Sequence, residues 1–337
     1  MGSPYNRVES PFSFFGGSMR RGFAKFLLGI AAGLTASGSP ACELNDNVSA
    51  AGLERELAIV NSRDRASAYD AYISTFDPEA RVHGLVPGRI GTIEDVKAHY
   101  RSVFFELDGG TLVEDEVYVA GPMAAHRYHS MLMLNGTFDG VVAKNKPVTL
   151  RGQTFFRYGR DGRIVERWSN HDHAYRMGQL LGDKGREEGA QIAAQLNGPG
   201  LSEQQGYAFV SRLTGSFNRV EAPDRRRSEV AGLLADGMIV HGLNCSNATK
   251  SELLAHYDSL WTSFPDLHLK LTGEPISGWS MVAFRWQAMG SQRAPYGGRK
   301  PGYRTIVQWS GQLIARLDKD ARIAELWVNE SPVRYLH

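Results

Sequence analysis

Cysteine is nearly absent from this 337-residue chain: only Cys42 and Cys245 occur. Two thiols cannot staple a small scaffold or build a metal cluster by themselves, so the fold must rest on a hydrophobic core. A bridge between the two stays open should Cys42 be retained in an oxidising compartment. An excess of charge of one sign is missing as well. Lys plus Arg number 38 and Asp plus Glu 36, a formal net charge of +2. That balance lacks the concentrated basic surface used to hold nucleic acid, and no nucleic-acid partner is expected. A long apolar run is lacking too: the stretch from Phe26 to Leu34 falls short of the ~20 residues that span a bilayer. What remains is a globular composition, 42% hydrophobic and 22% charged, and a length that suggests two domains.

Residues 19–41 read as an export segment. Arg20, Arg21 and Lys25 precede the apolar run, and small residues follow up to Ser39-Pro40-Ala41. This is the three-part layout of a secretory signal, with the cut expected after Ala41. The paired arginines also look like a twin-arginine signal; acylation at Cys42 is the weaker alternative, because Ser39 stands where a lipoprotein signal has Leu. The expected destination is periplasmic or extracellular, with no stable membrane insertion once the segment is removed. A buried N-terminal helix is the competing reading.

The rest of the chain is one unit written twice. Val82-His83-Gly84-Leu85 recurs 158 residues later as Val240-His241-Gly242-Leu243. Ala98-His99-Tyr100 recurs as Ala255-His256-Tyr257, Gly152-Gln153 as Gly311-Gln312, and Arg163-Ile164, Glu166 and Trp168 as Arg322-Ile323, Glu325 and Trp327. Ordered matches whose offset drifts by a residue or two mark a duplication. In the first copy, helical periodicity runs from Leu53 towards Ile73 and over Ile93–Phe105. Strand patterns follow at Leu112–Ala120, Met123–Leu134, Pro147–Tyr158 and Ile164–Asn170, with turn signals at Gly121-Pro122, Asn135-Gly136 and Asp161-Gly162. The second copy predicts helices near Glu203–Phe217, Arg226–Leu234 and Ser251–Trp261. Its strands are expected near Leu267–Gly273, Ser280–Met289, Tyr303–Leu317 and Ile323–Asn329. Helices followed by strands predict an α+β fold with a mainly antiparallel sheet. The boundaries read as an export segment at 1–41, a first domain at 50–182, a charged, helical connector at 183–200 and a second domain at 201–337.

Several landmarks carry a family resemblance. The first copy has His83-Gly84, Asp161-Gly162-Arg163-Ile164-Val165-Glu166-Arg167-Trp168, Asp172 four residues beyond that Trp, and Gln179-Leu180-Leu181-Gly182. The second has His241-Gly242, Phe264-Pro265-Asp266-Leu267 and the run from Ile323 to Trp327. Both copies resemble SnoaL-like polyketide cyclases of the nuclear transport factor 2-like superfamily. The resemblance implies two tandem cone-shaped α+β barrels, each a curved sheet wrapped around helices and enclosing an apolar pocket. It implies a cofactor-independent cyclase or isomerase, with neither metal nor organic cofactor, acting on a hydrophobic, polyketide-like molecule. It also implies that the two copies pack through their sheets as an intramolecular pseudo-dimer. The first copy departs from the pattern at Phe104-Phe105-Glu106-Leu107, and the second at Ser331, where the family Asp would stand, so the second site is expected to be degenerate.

Asp172 inherits the general acid/base role through the resemblance. A carboxyl group in an apolar pocket gains proton affinity, which suits proton transfer to and from carbon. As an alternative, Asp172 caps a helix starting near His173. His83 and His129 are further catalytic candidates, His83 equally readable as a hydrogen-bonded residue beside a Gly turn. His126, Tyr128, Gln153, Trp168 and His171 are expected to contact substrate, Gln153 and Trp168 as wall residues. Along Ala125–His129, His126 and Tyr128 share one face and Arg127 and His129 the other. In the second copy Phe284, Trp286 and Gln287 replace the polar set and only Arg285 is kept. His171-Asp172-His173 invites a zinc reading, but adjacent residues do not all turn to one ion, so His83, His99 or His129 would have to converge. The competing function is a non-catalytic protein that binds a hydrophobic ligand.

Overall fold

A computed structural model describes residues 40–336 except 139, 198–200, 244–245, 303–304 and 332. Residues 1–39, nearly all of the expected export segment, and Cys245 therefore lie outside the described residues. The first lobe opens with helices α1 (Pro40–Val60) and α2 (Arg65–Ser74), strands β1 (Phe76–Val86) and β2 (Arg89–Gly91), and helix α3 (Ile93–Phe105). Strands β3 (Leu107–Asp108), β4 (Leu112–Ala120), β5 (Met123–Phe138), β6 (Val141–Tyr158) and β7 (Ile164–His171) follow. Helices α4 (His173–Leu181) and α5 (Asp183–Asn197) lead to the second lobe. There α6 (Glu203–Phe217), α7 (Pro223–Gly232), β8 (Leu234–Leu243), β9 (Ser246–Thr249) and α8 (Lys250–Ser263) precede β10 (His268–Gly278), β11 (Met281–Ser291), β12 (Ile306–Leu317), β13 (Ile323–Glu330) and β14 (Arg334–Leu336).

Local chemistry starts the helices in the same way in both lobes. Thr92 and Asp95 form a capping box on α3, and Thr249 and Glu252 form the matching box on α8. Each box satisfies helix-end N–H groups that have no partner within the helix. Asn61, just after α1, brackets Leu112: its Nδ2 donates to the carbonyl (3.0 Å) and its Oδ1 accepts from the amide (2.7 Å). Asn218, just after α6, brackets Leu269 in the same way, at 2.7 Å and 2.7 Å. These clamps fix the first helix of each lobe against an end strand.

The two sheets repeat one topology. The first runs β2-β1-β7-β6-β5, with β3 and β4 both paired to β5; the second runs β9-β8-β13-β12-β11-β10, with β14 paired to β12. Pairings are antiparallel except β1 with β7 and β8 with β13. The equivalent registers are His83 opposite Trp168 and His241 opposite Trp327. The fold is α+β as expected, but each sheet is open and mixed and does not close into a barrel.

The sheets meet back to back within one compact unit. Tyr118, Met123, Phe155 and Trp168 pack with Ile276, Met281, Ile314 and Trp327 in one apolar layer. Polar contacts cross this layer in matched pairs. Gln153 Oε1 accepts from the Ser277 amide at 3.0 Å, and its counterpart Gln312 Oε1 accepts from the Val119 amide at 2.7 Å. Since Val119 and Ser277 hold equivalent positions opposite Ala124 and Val282, the contact is self-complementary, as between two-fold related subunits.

Three expectations need correction. The periodic stretch from Leu53 towards Ile73 is two helices, broken at residues 61–64 where Asn61 turns to clamp Leu112 and Asp64 caps α2. Asn135-Gly136 is no hairpin turn: β5 runs through it to Phe138, with a register shift between Leu134 and Gly136. Strands β1 and β8 went unread, since Asp77-Pro78 and the His-Gly glycine interrupt their alternation and their principal partner strands lie some eighty residues away.

Candidate active site

In the first lobe, α1, α2 and α3 lie over the concave face of the sheet and leave a cavity between them. Its free volume is about 80 Å³, counted as room for the centre of a water-sized sphere. One water needs ~10–15 Å³ on that measure, so the space suits a small molecule or the reactive end of a larger one. Val60, Val103, Phe104, Leu112, Leu132, Phe138 and Leu150 supply apolar wall. Polar groups from six elements enter among them: Glu56 from α1, Arg65 and Tyr72 from α2, His99 and Tyr100 from α3, His126, Tyr128 and Ser130 from β5, Arg167 and His171 from β7, and Arg176 from α4. The strand residues come from alternation. Positions 126 and 128, and 167 and 171, share the concave face, while Arg127, Trp168 and Gln153 face the other lobe.

Glu56 is only 4% exposed. Its Oε1 accepts from the Tyr72 hydroxyl at 3.0 Å, and Oε2 has no protein partner among the described residues. Burial raises its pKa above the ordinary 4.5, against the pull of the Arg167 charge. His126, also buried, has Nδ1 3.1 Å from Glu114 Oε1. A carboxylate accepts only, so His126 Nδ1 carries a proton, and in the neutral tautomer this leaves the lone pair on Nε2, which is buried and has no partner among the described residues. His171 is the converse. Its Nδ1 lies 2.8 Å from the Tyr128 hydroxyl. Burial raises the Tyr128 pKa, so the phenol stays protonated and is able to donate to Nδ1, and burial keeps His171 neutral by pulling its pKa well below the ordinary value. In the tautomer where it donates, the His171 proton resides on Nε2, buried and without a partner among the described residues. One cavity thus brings together a carboxyl group whose proton affinity burial raises and two imidazoles able to serve as acceptor and donor.

Arg167 is 3% exposed, and its Nη1 donates to the Tyr100 hydroxyl. Its guanidinium sits 5.1 Å from the Tyr100 ring centre and 5.4 Å from that of Phe156. His99 stacks on His171 at 6.0 Å and is held neutral, its pKa lowered to about 3 by burial and by the Arg176 and Arg167 charges.

Of the residues expected from sequence, the structure brings His126, Tyr128 and His171 into the cavity and leaves the others outside its walls. Asp172 is the N-cap of α4: its Oδ1 accepts from the Tyr175 amide at 2.9 Å, and Arg151 donates to its Oδ2 at 2.7 Å. With a side chain 34% exposed and ion-paired, it is a surface capping group; it follows His171 and so turns to the opposite side. His83 belongs to the scaffold. Its Nε2 lies 2.9 Å from Glu166 Oε1 and its ring stacks on Trp168 at 5.2 Å. The twin His241 repeats this with Glu325 at 2.9 Å and Trp327 at 5.1 Å. His129 is exposed and paired with Asp115 at 2.8 Å. Trp168 and Gln153 line the contact with the second lobe. Among the described residues, no group of three or more His, Cys, Asp or Glu is placed to hold a metal ion, and no helix is long and apolar enough to cross a membrane.

Sequence reasoning missed Glu56, Tyr72, Tyr100 and Arg167 as site residues. For Glu56, Tyr72 and Arg167 the signal is difference between the copies, whereas Tyr100 recurs as Tyr257 and carries no such signal. By register, Arg167 corresponds to Leu326, His126 to Phe284 and Tyr128 to Trp286. The asparagine clamps align Glu56 with Leu213, and the helix-to-strand junctions align Tyr72 with Val230. Phe284, Trp286, Val230 and Leu326 are part of the continuous apolar core of the second lobe, with Leu213 packed against it.

The family of SnoaL-like domains matches residues 53–167. No curated protein sequence matches the chain. Among solved structures, the chain is similar to a protein from Jannaschia sp. CCS1 provisionally assigned as a SnoaL-like polyketide cyclase. The identity is 19% and the TM-score 0.37, over 43% of this chain and 96% of that one. TsrD from Streptomyces laurentii gives 22% identity and a TM-score of 0.34, over 40% of this chain and 96% of that one. An NTF2-like protein of unknown function from Exiguobacterium sp. 255-15 gives 16% and 0.30, over 36% and 98%.

Proposed function

We propose, from the match of residues 53–167 to the family of SnoaL-like domains, that the first lobe is a cofactor-independent enzyme of cyclase or isomerase type. It moves protons on a small carbonyl compound with an apolar body, a polyketide-like molecule being the narrower case. The observation that carries this reading is the contrast between lobes. One fold is built twice: His99 and Tyr100 recur as His256 and Tyr257, and Glu330 stands at the register of His171, but the first copy alone has Glu56, Tyr72, His126, Tyr128 and Arg167 where the second has Leu213, Val230, Phe284, Trp286 and Leu326. A scaffold that stands with an apolar interior does not need the polar set for folding, and burying it costs stability. Chemistry is the reason to keep it.

In the proposed reaction, His126 Nε2, oriented by Glu114, takes a proton from the carbon beside the substrate carbonyl. His171 Nε2–H donates to the oxygen as negative charge builds there, and Glu56 returns a proton. Preorganised donors in a water-poor cavity act more strongly than in bulk water. The second lobe serves as a permanent partner: its sheet covers the back of the catalytic sheet, making the chain a pseudo-dimer. Export through residues 19–41 belongs to the same proposal and rests on the signal pattern alone; the mass of the mature chain from its native host tests the cut after Ala41.

The reaction is tested by deuterium exchange into 2-tetralone, followed by NMR, because exchange reports carbon-acid proton transfer whatever the natural substrate. The full chain accelerates exchange, His126→Gln and Glu56→Gln each lower the rate by at least about 100-fold, and Asp172→Asn does not. Equal rates in all four proteins contradict the proposal. Binding of 2-tetralone in the first lobe with no exchange would leave a ligand-binding protein.

A further inference from the structure

Arg167 is a buried cation that feels the Glu56 carboxyl group only from beyond contact. Among the described residues no carboxylate lies within ion-pair distance of it. Among the described residues its one hydrogen bond is to the Tyr100 hydroxyl, and its Nε is buried and unpartnered. Holding a guanidinium out of water is costly unless an anion or a full set of acceptors meets it. The fold does not require it, since Leu326 occupies the same register beside His241-Trp327 in the second lobe. The guanidinium borders the cavity, as do Tyr100 and the apolar walls.

We infer that the cavity takes its substrate as an organic anion, a small carboxylate with an apolar body, whose carboxylate pairs with Arg167 beside Tyr100. This rests on the reading of the first lobe as the working site and adds the substrate class. A guanidinium edge matches a carboxylate in shape and charge, and Nε lacks the acceptor that a carboxylate oxygen supplies. The cavity polarity fits: the anion meets Arg167, and the hydrocarbon part meets Val103, Phe104, Leu132 and Leu150. Glu56 fits as well, because a neighbouring anion favours its protonated form and so turns it into a donor.

The test is calorimetric binding of benzoate and hexanoate to the full chain, against the neutral isosteres benzamide and hexan-1-ol. The carboxylates bind at least about tenfold more tightly than their isosteres. Arg167→Leu, which installs the residue of the twin lobe, removes that preference, and Tyr100→Phe weakens it several-fold. Arg167→Met replaces the leucine variant if circular dichroism shows the latter unfolded. Isosteres that bind as well as the acids, or a preference that survives loss of the arginine, overturn the inference. The two proposals fail separately. Carboxylate preference through Arg167 with exchange indifferent to Glu56→Gln and His126→Gln sinks only the catalytic reading. Exchange that depends on those residues without any carboxylate preference sinks only the anion.

Discussion

Position 99 shows how burial decides what an imidazole can do. His99 and His171 line the cavity and His173 lies beside His171 with ring centres 6.0 Å apart, and burial lowers the first to about 3, the second well below its ordinary value and the third to about 4. All three are neutral in the folded chain, whereas in the unfolded chain they take up protons near their ordinary value of 6.5. Below that pH the unfolded state binds protons that the native state refuses, so stability falls as pH drops from about 6.5 towards 4. His99→Phe removes one such site. Stability measured by urea unfolding at several pH values in that window should show an acid-side slope shallower by about one proton; an unchanged slope contradicts the burial of His99. The sequence named His171 for the site and His99 as a possible metal ligand. Neutrality was not legible, because it comes from what α3 and α4 lay across the rings.

At the scale of the element, the most legible motif turned out to be scaffold. His83-Gly84 and His241-Gly242 were readable from repetition, yet repetition in a lobe without a polar cavity marks a folding requirement. Gly84 and Gly242 have φ of +81° and +90°, and a Cβ there would collide with the carbonyl oxygen of Ser169 or Val328. Only glycine lets β1 lie against β7, and β8 against β13, at those positions. The histidine before each glycine then reaches the Glu and Trp of the partner strand. Gly84→Ala and Gly242→Ala should each destabilise their lobe by more than ~2 kcal/mol, read by thermal unfolding, through strain at positive φ and backbone overlap. Helices α3 and α6 and strand β4 were legible to the residue because caps and periodicity are local. Glu56 was not: along α1 it reads as one more charge, and only the fold over Tyr72 turns it inward. Asp172 failed for a related reason. Its spacing from Trp168 follows a motif, while its direction follows strand alternation and the start of α4.

For the whole molecule, duplication separates two tasks. The second lobe keeps the fold and the contact surface and fills its cone with Phe284, Trp286, Leu326 and their neighbours. The first keeps the cavity lined by Glu56, His126, Tyr128, Arg167 and His171. Ile276, Met281, Ile314 and Trp327 are buried by the other sheet. A fragment of residues 201–337 expressed alone should therefore self-associate through that face, the reciprocal Gln312 contact favouring a dimer. Analytical ultracentrifugation checks this, and a stable monomer contradicts it. The tandem architecture was legible from ordered repeats. The unequal roles of the copies were half legible, in the exchange of polar for apolar residues on β11.

The account depends most on Glu56 holding its proton more tightly than a carboxyl group in water. NMR of the carboxyl carbon in chain labelled with ¹³C-glutamate, with the resonance assigned by its loss in Glu56→Gln, measures this directly. The account predicts a titration midpoint above the ordinary 4.5. A midpoint at or below that value means the group is solvated or firmly ion-paired, and the first lobe then has no buried acid to work with.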